Sequence, residues 1–212
     1  MSIELIVIDH DGVIVDSNED IYLAAWELMA SHSFGRRRIP SFLDFLTTFS
    51  LPGDQWFRAH NFKFPAAEIS EALRQVPNRA TMFPAVPTLL KRIQKESKLP
   101  VIMVSAGDPS RIENQLAIGG IRHHFEIVSG GNSDKTMALS FFCSAFDVKP
   151  ANTVYVGDMS SDMEHSLKAG VTPIGFTDDR LVMEEVLTKA GAQHCVPTHE
   201  KLGDLLLDLA RS

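Results

Sequence analysis

From about residue 80 onward the chain alternates short apolar runs with longer stretches in which apolar residues recur every third or fourth position. The short runs are VIMVS (101–105), FEIVS (125–129), TVYVG (153–157) and TPIGF (172–176), and IELIVI (3–8) at the start of the chain belongs with them. A short last strand is expected at 194–196. The longer stretches, 86–96, 109–118, 134–146, 160–169, 181–190 and 201–210, have the spacing of amphipathic helices. Glycines fall where these helices should stop, at Gly119-Gly120, Gly170 and Gly191. Strands alternating with helices in this way predict a parallel sheet covered by helices.

Residues 18–82 break the alternation. Ile21, Ala25, Leu28 and Met29 share one helical side, and turn signals occur at Gly35, Pro40, Pro52-Gly53, Pro65 and Pro77, but no strand pattern is present. The expected architecture is therefore α/β: a three-layer, Rossmann-like core with a mostly parallel sheet, built from 1–17 and 83–212, and an all-helical cap inserted at 18–82. No internal repeat or low-complexity segment interrupts it.

The first strand raises the chemical question, because the aliphatic run ends in two aspartates one residue apart, Asp9 and Asp11, within DHDGVIVDS. In an open parallel sheet, ligands bind beyond the carboxyl ends of the strands, near the point where strand order reverses. The same end of the next strand carries Ser105-Ala106-Gly107, and the strand at 153–157 runs into GDMSSD, which holds Asp158 and Asp162. Carboxylates gathered in one crevice repel one another and need a cation. Oxygen ligands without His or Cys suit a hard ion, magnesium before zinc. A carboxylate can also attack phosphorus and form an aspartyl-phosphate.

Charge sharpens this reading. The formal net charge of -7 argues against a nucleic-acid or anionic-membrane binder, so a phosphorylated substrate must meet a local positive site. A hydrophobic content of 44% describes an ordinary soluble protein. The first apolar run, cut short at Asp9, does not have the order of a signal peptide, and no run approaches the roughly 20 apolar residues that span a bilayer. A cytoplasmic protein, monomeric or a small homo-oligomer, is expected. Cys143 and Cys195 have no CxxC spacing and read as reduced core residues.

DHDGVIVDS, VSAG, the isolated Lys135 and GDMSSD, in this order and at these strand ends, resemble the four motifs of the haloacid dehalogenase superfamily. The layout is similar to its phosphoglycolate phosphatase and beta-phosphoglucomutase branch, and FPAVPTLLKRI (83–93) resembles the return from cap to core. The resemblance implies Asp9 as nucleophile and Asp11 as general acid and base. It implies Ser105, with Ala106 and Gly107, as the phosphoryl-binding segment and Lys135 as the cation that neutralises nucleophile and phosphate. Magnesium would be held by Asp9, the Asp11 backbone carbonyl and Asp158, with Asp162 supporting metal or lysine. Three positions depart from the pattern: Val13 replaces a usual Thr, Thr136 follows the lysine where Pro is common, and His10 replaces an apolar residue.

Other features have plainer readings. Asp108 before Pro109 is a good helix N-cap, and Ser17 or Asn18 should cap the first cap helix. Arg36, Arg37 and Arg38 read as a solvated turn, with recognition of an anionic substrate group as the alternative. Phe42, Phe45, Phe49, Trp56, Phe57, Phe62 and Phe64 should form a cap core, His123-His124 a surface or structural pair, and Lys149 a loop lysine. The expected function is magnesium-dependent hydrolysis of a small phosphorylated metabolite. The rivals are a sugar-phosphate mutase, a dehalogenase, a phosphonatase using Lys63, and a non-catalytic binder of a phosphorylated ligand.

Overall fold

The computed structural model describes residues 2–33, 38–49, 53–74 and 81–212. Among them, six strands form one sheet in the order β3-β2-β1-β4-β5-β6: β1 (Leu5–Ile8), β2 (Val101–Val104), β3 (Ile127–Ser129), β4 (Thr153–Gly157), β5 (Thr172–Phe176) and β6 (His194–Val196). Every neighbouring pair is parallel, so the sheet is wholly rather than mostly parallel. Chain order runs outward from β1 through β2 to β3, then restarts on the other side with β4. The order therefore reverses between β1 and β4, whose register pairs Ile8 with Val156 and brings the following residues side by side.

The strands read as unbroken apolar runs because both faces are covered. Ile6 and Ile8 of β1 and Met103 of β2 pack with Leu89, Leu90 and Ile93 of α5 (Val86–Glu96), Ile112 and Leu116 of α6 (Pro109–Ile118), and Leu202 and Leu206 of α10 (His199–Arg211). Leu5, Val7, Ile102 and Val104 point the other way, onto Leu139, Phe142 and Cys143 of α7 (Lys135–Ala145). Alternate residues of each strand thus serve opposite layers. α8 (Ser160–Ala169) and α9 (Leu181–Lys189) complete the crossovers. The last helix starts two residues before the expected 201, because the Thr198 side chain caps it by accepting from the Lys201 N–H.

Between β1 and α5 the described residues form α1 (Asn18–Ser33), α2 (Phe42–Thr48), α3 (Gly53–Ala59) and α4 (Ala66–Arg74), with no strand among them. Phe45, Phe49, Trp56, Phe57, Phe62 and Phe64 make the interior of this helical group, as read from the sequence. The same cluster includes Met163 of α8 and Met183 and Leu187 of α9, which anchor the group to the sheet layer below. The chain leaves and returns along one short pairing: Asp16 N–H donates to Thr81 C=O at 3.0 Å and Phe83 N–H to Ile14 C=O at 3.1 Å. Arg36 and Arg37, with the turn signals at Gly35, Pro52 and Pro77, lie outside the described residues; Arg38 is exposed. No helix among the described residues is long and apolar enough to cross a membrane. Cys143 and Cys195 are free thiols.

Candidate active site

The carboxyl ends of β1, β2 and β4 open into a cavity of 490 Å³ roofed by α1, α3 and α4. Asp9, directly after β1, is buried there, and its carboxylate accepts from Lys135 Nζ at 2.5 Å. Lys135 opens α7 just after its N-cap, Asp134, and is only 2% exposed. Its amine also donates to Asp162 Oδ1 at 2.7 Å. Burial opposes the charge on this amine, but Asp162 and Asp9 outweigh burial and hold its pKa well above the ordinary lysine value. Lys135 is thus a fixed cation between two acids. Lys149, by contrast, is an exposed loop residue.

Asp158, directly after β4, completes an acidic group: one carboxylate oxygen from each of Asp9, Asp158 and Asp162 lies within 4.8 Å of the others. Burial, then Asp162 and Asp9, push the Asp158 carboxyl well above the usual range. Burial likewise raises Asp9 to about 6, against the pull of Lys135. One lysine does not compensate three buried acids, and an all-oxygen donor set of this kind fits a hard divalent cation. Two glycines leave the room: a Cβ on Gly12, whose φ is +72°, would fall 2.0 Å from Asp158 Oδ2, and one on Gly157 2.5 Å from Asp162 Cβ. Asp162 is positioned by its helix start, since its Oδ2 accepts from the Met159 N–H at 3.0 Å.

Asp11 borders the same cavity but its side chain stands apart from the acidic group. It accepts from both arms of Arg111, Nη1 at 2.9 Å and Nη2 at 2.6 Å, and from Ser17 Oγ at 2.7 Å. Burial works to raise the Asp11 carboxyl, but the His10 ring and the Arg111 fork overcome it and hold it well below the ordinary carboxylate range. His10 is fully buried with its Nδ1 3.5 Å from Asp11, and Val13 is a core residue. Ser105, at the end of β2, is buried, and its hydroxyl accepts from the Gly107 N–H at 3.1 Å. Helix α6 is capped instead by Asp108, which accepts from the Ser110 and Arg111 N–H groups, so Ser105 is not needed as a cap.

Every site residue expected from the sequence therefore reaches this one cavity: Asp9, Asp11, Ser105, Ala106, Gly107, Lys135, Asp158 and Asp162 all line it. Three others were read differently or missed. Ser17 and Asn18, expected as helix caps, send their side chains to the site: Ser17 to Asp11, and Asn18 Nδ2 to Asp158 Oδ2 at 2.7 Å. Arg111 was not singled out at all. Its signal was present, since a basic residue in the first turn of a helix opposes the helix dipole. Lys63 is exposed and is not among the residues described as lining the cavity. The His123–His124 pair sits in a 3-10 turn, with His124 Nδ1 2.9 Å from Gln94 Oε1.

A family model described as haloacid dehalogenase-like hydrolase matches residues 6–176. The chain belongs to this family. Among proteins similar to this haloacid dehalogenase-like chain is the phosphoglycolate phosphatase of Synechococcus elongatus, 31% identical over 98 residues, which are 45% of this chain and 46% of that protein. The aligned part thus spans about half the length of that relative. Among solved structures, one described as a predicted phosphatase from Clostridium acetobutylicum superposes with a TM-score of 0.79 at 18% identity, covering 98% of this chain and 100% of that one. A family hydrolase from Deinococcus radiodurans, solved with bound phosphate and sodium, gives 0.69 at 17% identity, covering 98% of this chain and 96% of that one. At such identities these likenesses speak for the fold, which is that of the haloacid dehalogenase-like hydrolases.

Proposed function

We propose that the protein is a phosphatase that hydrolyses a small phosphomonoester through an aspartyl-phosphate on Asp9. The observation that carries this reading is the buried Asp9 carboxylate, 2.5 Å from Lys135 and beside Asp158, at the floor of the cavity. A carboxylate so placed is desolvated, oriented, and next to a buried amine that can neutralise an incoming phosphoryl group. Asp9 attacks phosphorus as the ester P–O bond breaks, and the leaving oxygen takes a proton from Asp11, which carries that proton only once substrate has relieved the Arg111 ion pair that holds it ionised in the substrate-free protein. Water then attacks the same phosphorus and passes its proton to Asp11, which releases phosphate and restores the Asp9 carboxylate. Ser105 and the segment it opens, Ala106 and Gly107, hold the phosphoryl oxygens.

Asp9, Asp158 and the Asp11 carbonyl would hold magnesium, with Asp162 bracing Lys135 and the metal side of the site. Held there, the ion would supply charge neutralisation between the attacking carboxylate and the phosphate. Helices α1–α4, as a cap over 18–82, exclude bulk water from the transfer. The cavity volume falls within the range of ligand pockets for small molecules, and Ile21, Phe49, Ile69 and Leu73 give its cap side an apolar wall. Similarity to the Synechococcus phosphoglycolate phosphatase favours a phosphatase within the family.

The test is phosphate release from an aryl phosphate and a panel of metabolite phosphates, with magnesium and with chelator, for wild type and Asp9→Asn. Magnesium-dependent release that disappears in the variant supports the proposal. An isomerised sugar phosphate with little free phosphate would replace it with the mutase reading. Release that survives in Asp9→Asn would refute the assignment of the nucleophile.

A further inference from the structure

Two cations border the cavity among the described residues, Lys135 and Arg111. Lys135 is fixed between Asp9 and Asp162. Arg111 is the third residue of α6, beside the N–H groups of the first turn, where the helix dipole disfavours positive charge. Its side chain is nonetheless drawn inward, to 11% exposure, and closes both arms of its fork on Asp11. The pair lies over Gly107: a Cβ there would fall 2.7 Å from Arg111 Nη2 and 3.0 Å from Asp11 Oδ2. The absent side chain at Gly107 thus leaves open a space that the guanidinium fills, on the segment that begins at Ser105. The fork therefore occupies, at the cavity wall, the acid that has to face a leaving group.

We propose that Arg111 is a substrate-binding residue, held on Asp11 in the substrate-free protein and transferred to the oxygens of the phosphoryl group when substrate enters. The proposal rests on the phosphatase reading of the site. The exchange replaces one planar, bidentate oxyanion contact with another of the same geometry, for which a guanidinium fork is suited and a lysine is not. A phosphoryl group carries more negative charge than a carboxylate, which supplies the differential affinity that any such change of partner requires. The 2.7 Å bond that Asp11 accepts from Ser17 does not involve the fork, so departure of the fork leaves Asp11 with an orienting partner. When phosphate leaves, the fork returns to Asp11. No covalent bond changes in the exchange.

The experiment is calorimetric titration of inorganic phosphate, in the presence of magnesium, into wild type, Arg111→Gln and Arg111→Lys, with thermal unfolding as the check of folding and steady-state kinetics alongside. Removing a charge-assisted, bidentate contact is expected to weaken phosphate about tenfold or more in Arg111→Gln. Arg111→Lys, which keeps the charge and loses the fork, should fall between, and KM should rise by a larger factor than kcat falls. Should the glutamine variant not fold, the lysine variant makes the same comparison, with a several-fold loss expected. A folded variant that binds phosphate as tightly as wild type overturns the proposal and leaves Arg111 a fixed clamp on Asp11, with the phosphatase reading intact. Wild type that neither binds phosphate nor hydrolyses any ester overturns both.

Discussion

Replacing Asp158 by Asn should stabilise the protein in chelator and destabilise it, relative to wild type, in magnesium. Asp158, Asp9 and Asp162 present oxygens within 4.8 Å of one another in a buried site. At an effective dielectric of about 20, two unit charges at that separation repel by about 3.5 kcal/mol. The folded protein avoids part of this by leaving Asp158 protonated, since burial and its two acidic neighbours hold its pKa well above 3.8. In the unfolded chain the same carboxyl ionises near 3.8, so folding must take up a proton and wild-type stability falls as pH rises above that value. Asparagine keeps the shape, can still accept from Asn18 Nδ2, and carries no charge. The expected gain in chelator is near zero at pH 4 and grows to about 1–3 kcal/mol by pH 8, bounded by the repulsion above. Saturating magnesium stabilises wild type by mass action and the variant much less, which reverses the sign. Urea unfolding at several pH values, with chelator and with magnesium, measures both effects. A variant destabilised equally in both conditions would refute the electrostatic reasoning and mark Asp158 as a packing residue.

Lys135→Met should cost about 3–5 kcal/mol of stability, since it strips the cation from two buried acids, and the added change Asp162→Asn should recover part of it by urea unfolding. Gly12→Ala should abolish magnesium-dependent activity, because its Cβ would displace Asp158 and its φ of +72° is unfavourable for alanine; titration with magnesium checks the loss of binding. Burial lowers the pKa of His199 below its usual 6.5, so unfolding takes up a proton, stability falls as pH drops below 6.5, and His199→Gln should flatten that slope in denaturant melts.

The inner strands β1, β2, β4 and β5 were legible because both faces are buried and their apolar runs stand between turn residues without alternation; the half-buried edge strands β3 and β6 also lie at the expected places. The acids were legible because Asp9 and Asp158 end their strands at the edge of the sheet where ligands bind, and because Ser105 and Lys135 fall between them in motif order; an aspartate after a strand would by itself read as a turn residue. Ser17, Asn18 and Arg111 were not, because each begins a helix, and the direction of a first-turn side chain depends on how that helix leaves the sheet. The Asp11–Arg111 contact joins residues 100 positions apart, and no local periodicity encodes it. The start of α10 was misplaced because apolar spacing marks the helix body, whereas the Thr198 cap sets its beginning.

In the proposed reaction Asp9 becomes phosphorylated. Acid quench of the magnesium-loaded protein during turnover of a phosphomonoester, followed by peptide mass spectrometry, captures that intermediate. The expected result is the mass of one HPO₃ on the peptide that contains Asp9, absent in Asp9→Asn and lost on treatment with hydroxylamine. Turnover with unmodified Asp9 at every quench time, or label on another residue, would contradict it.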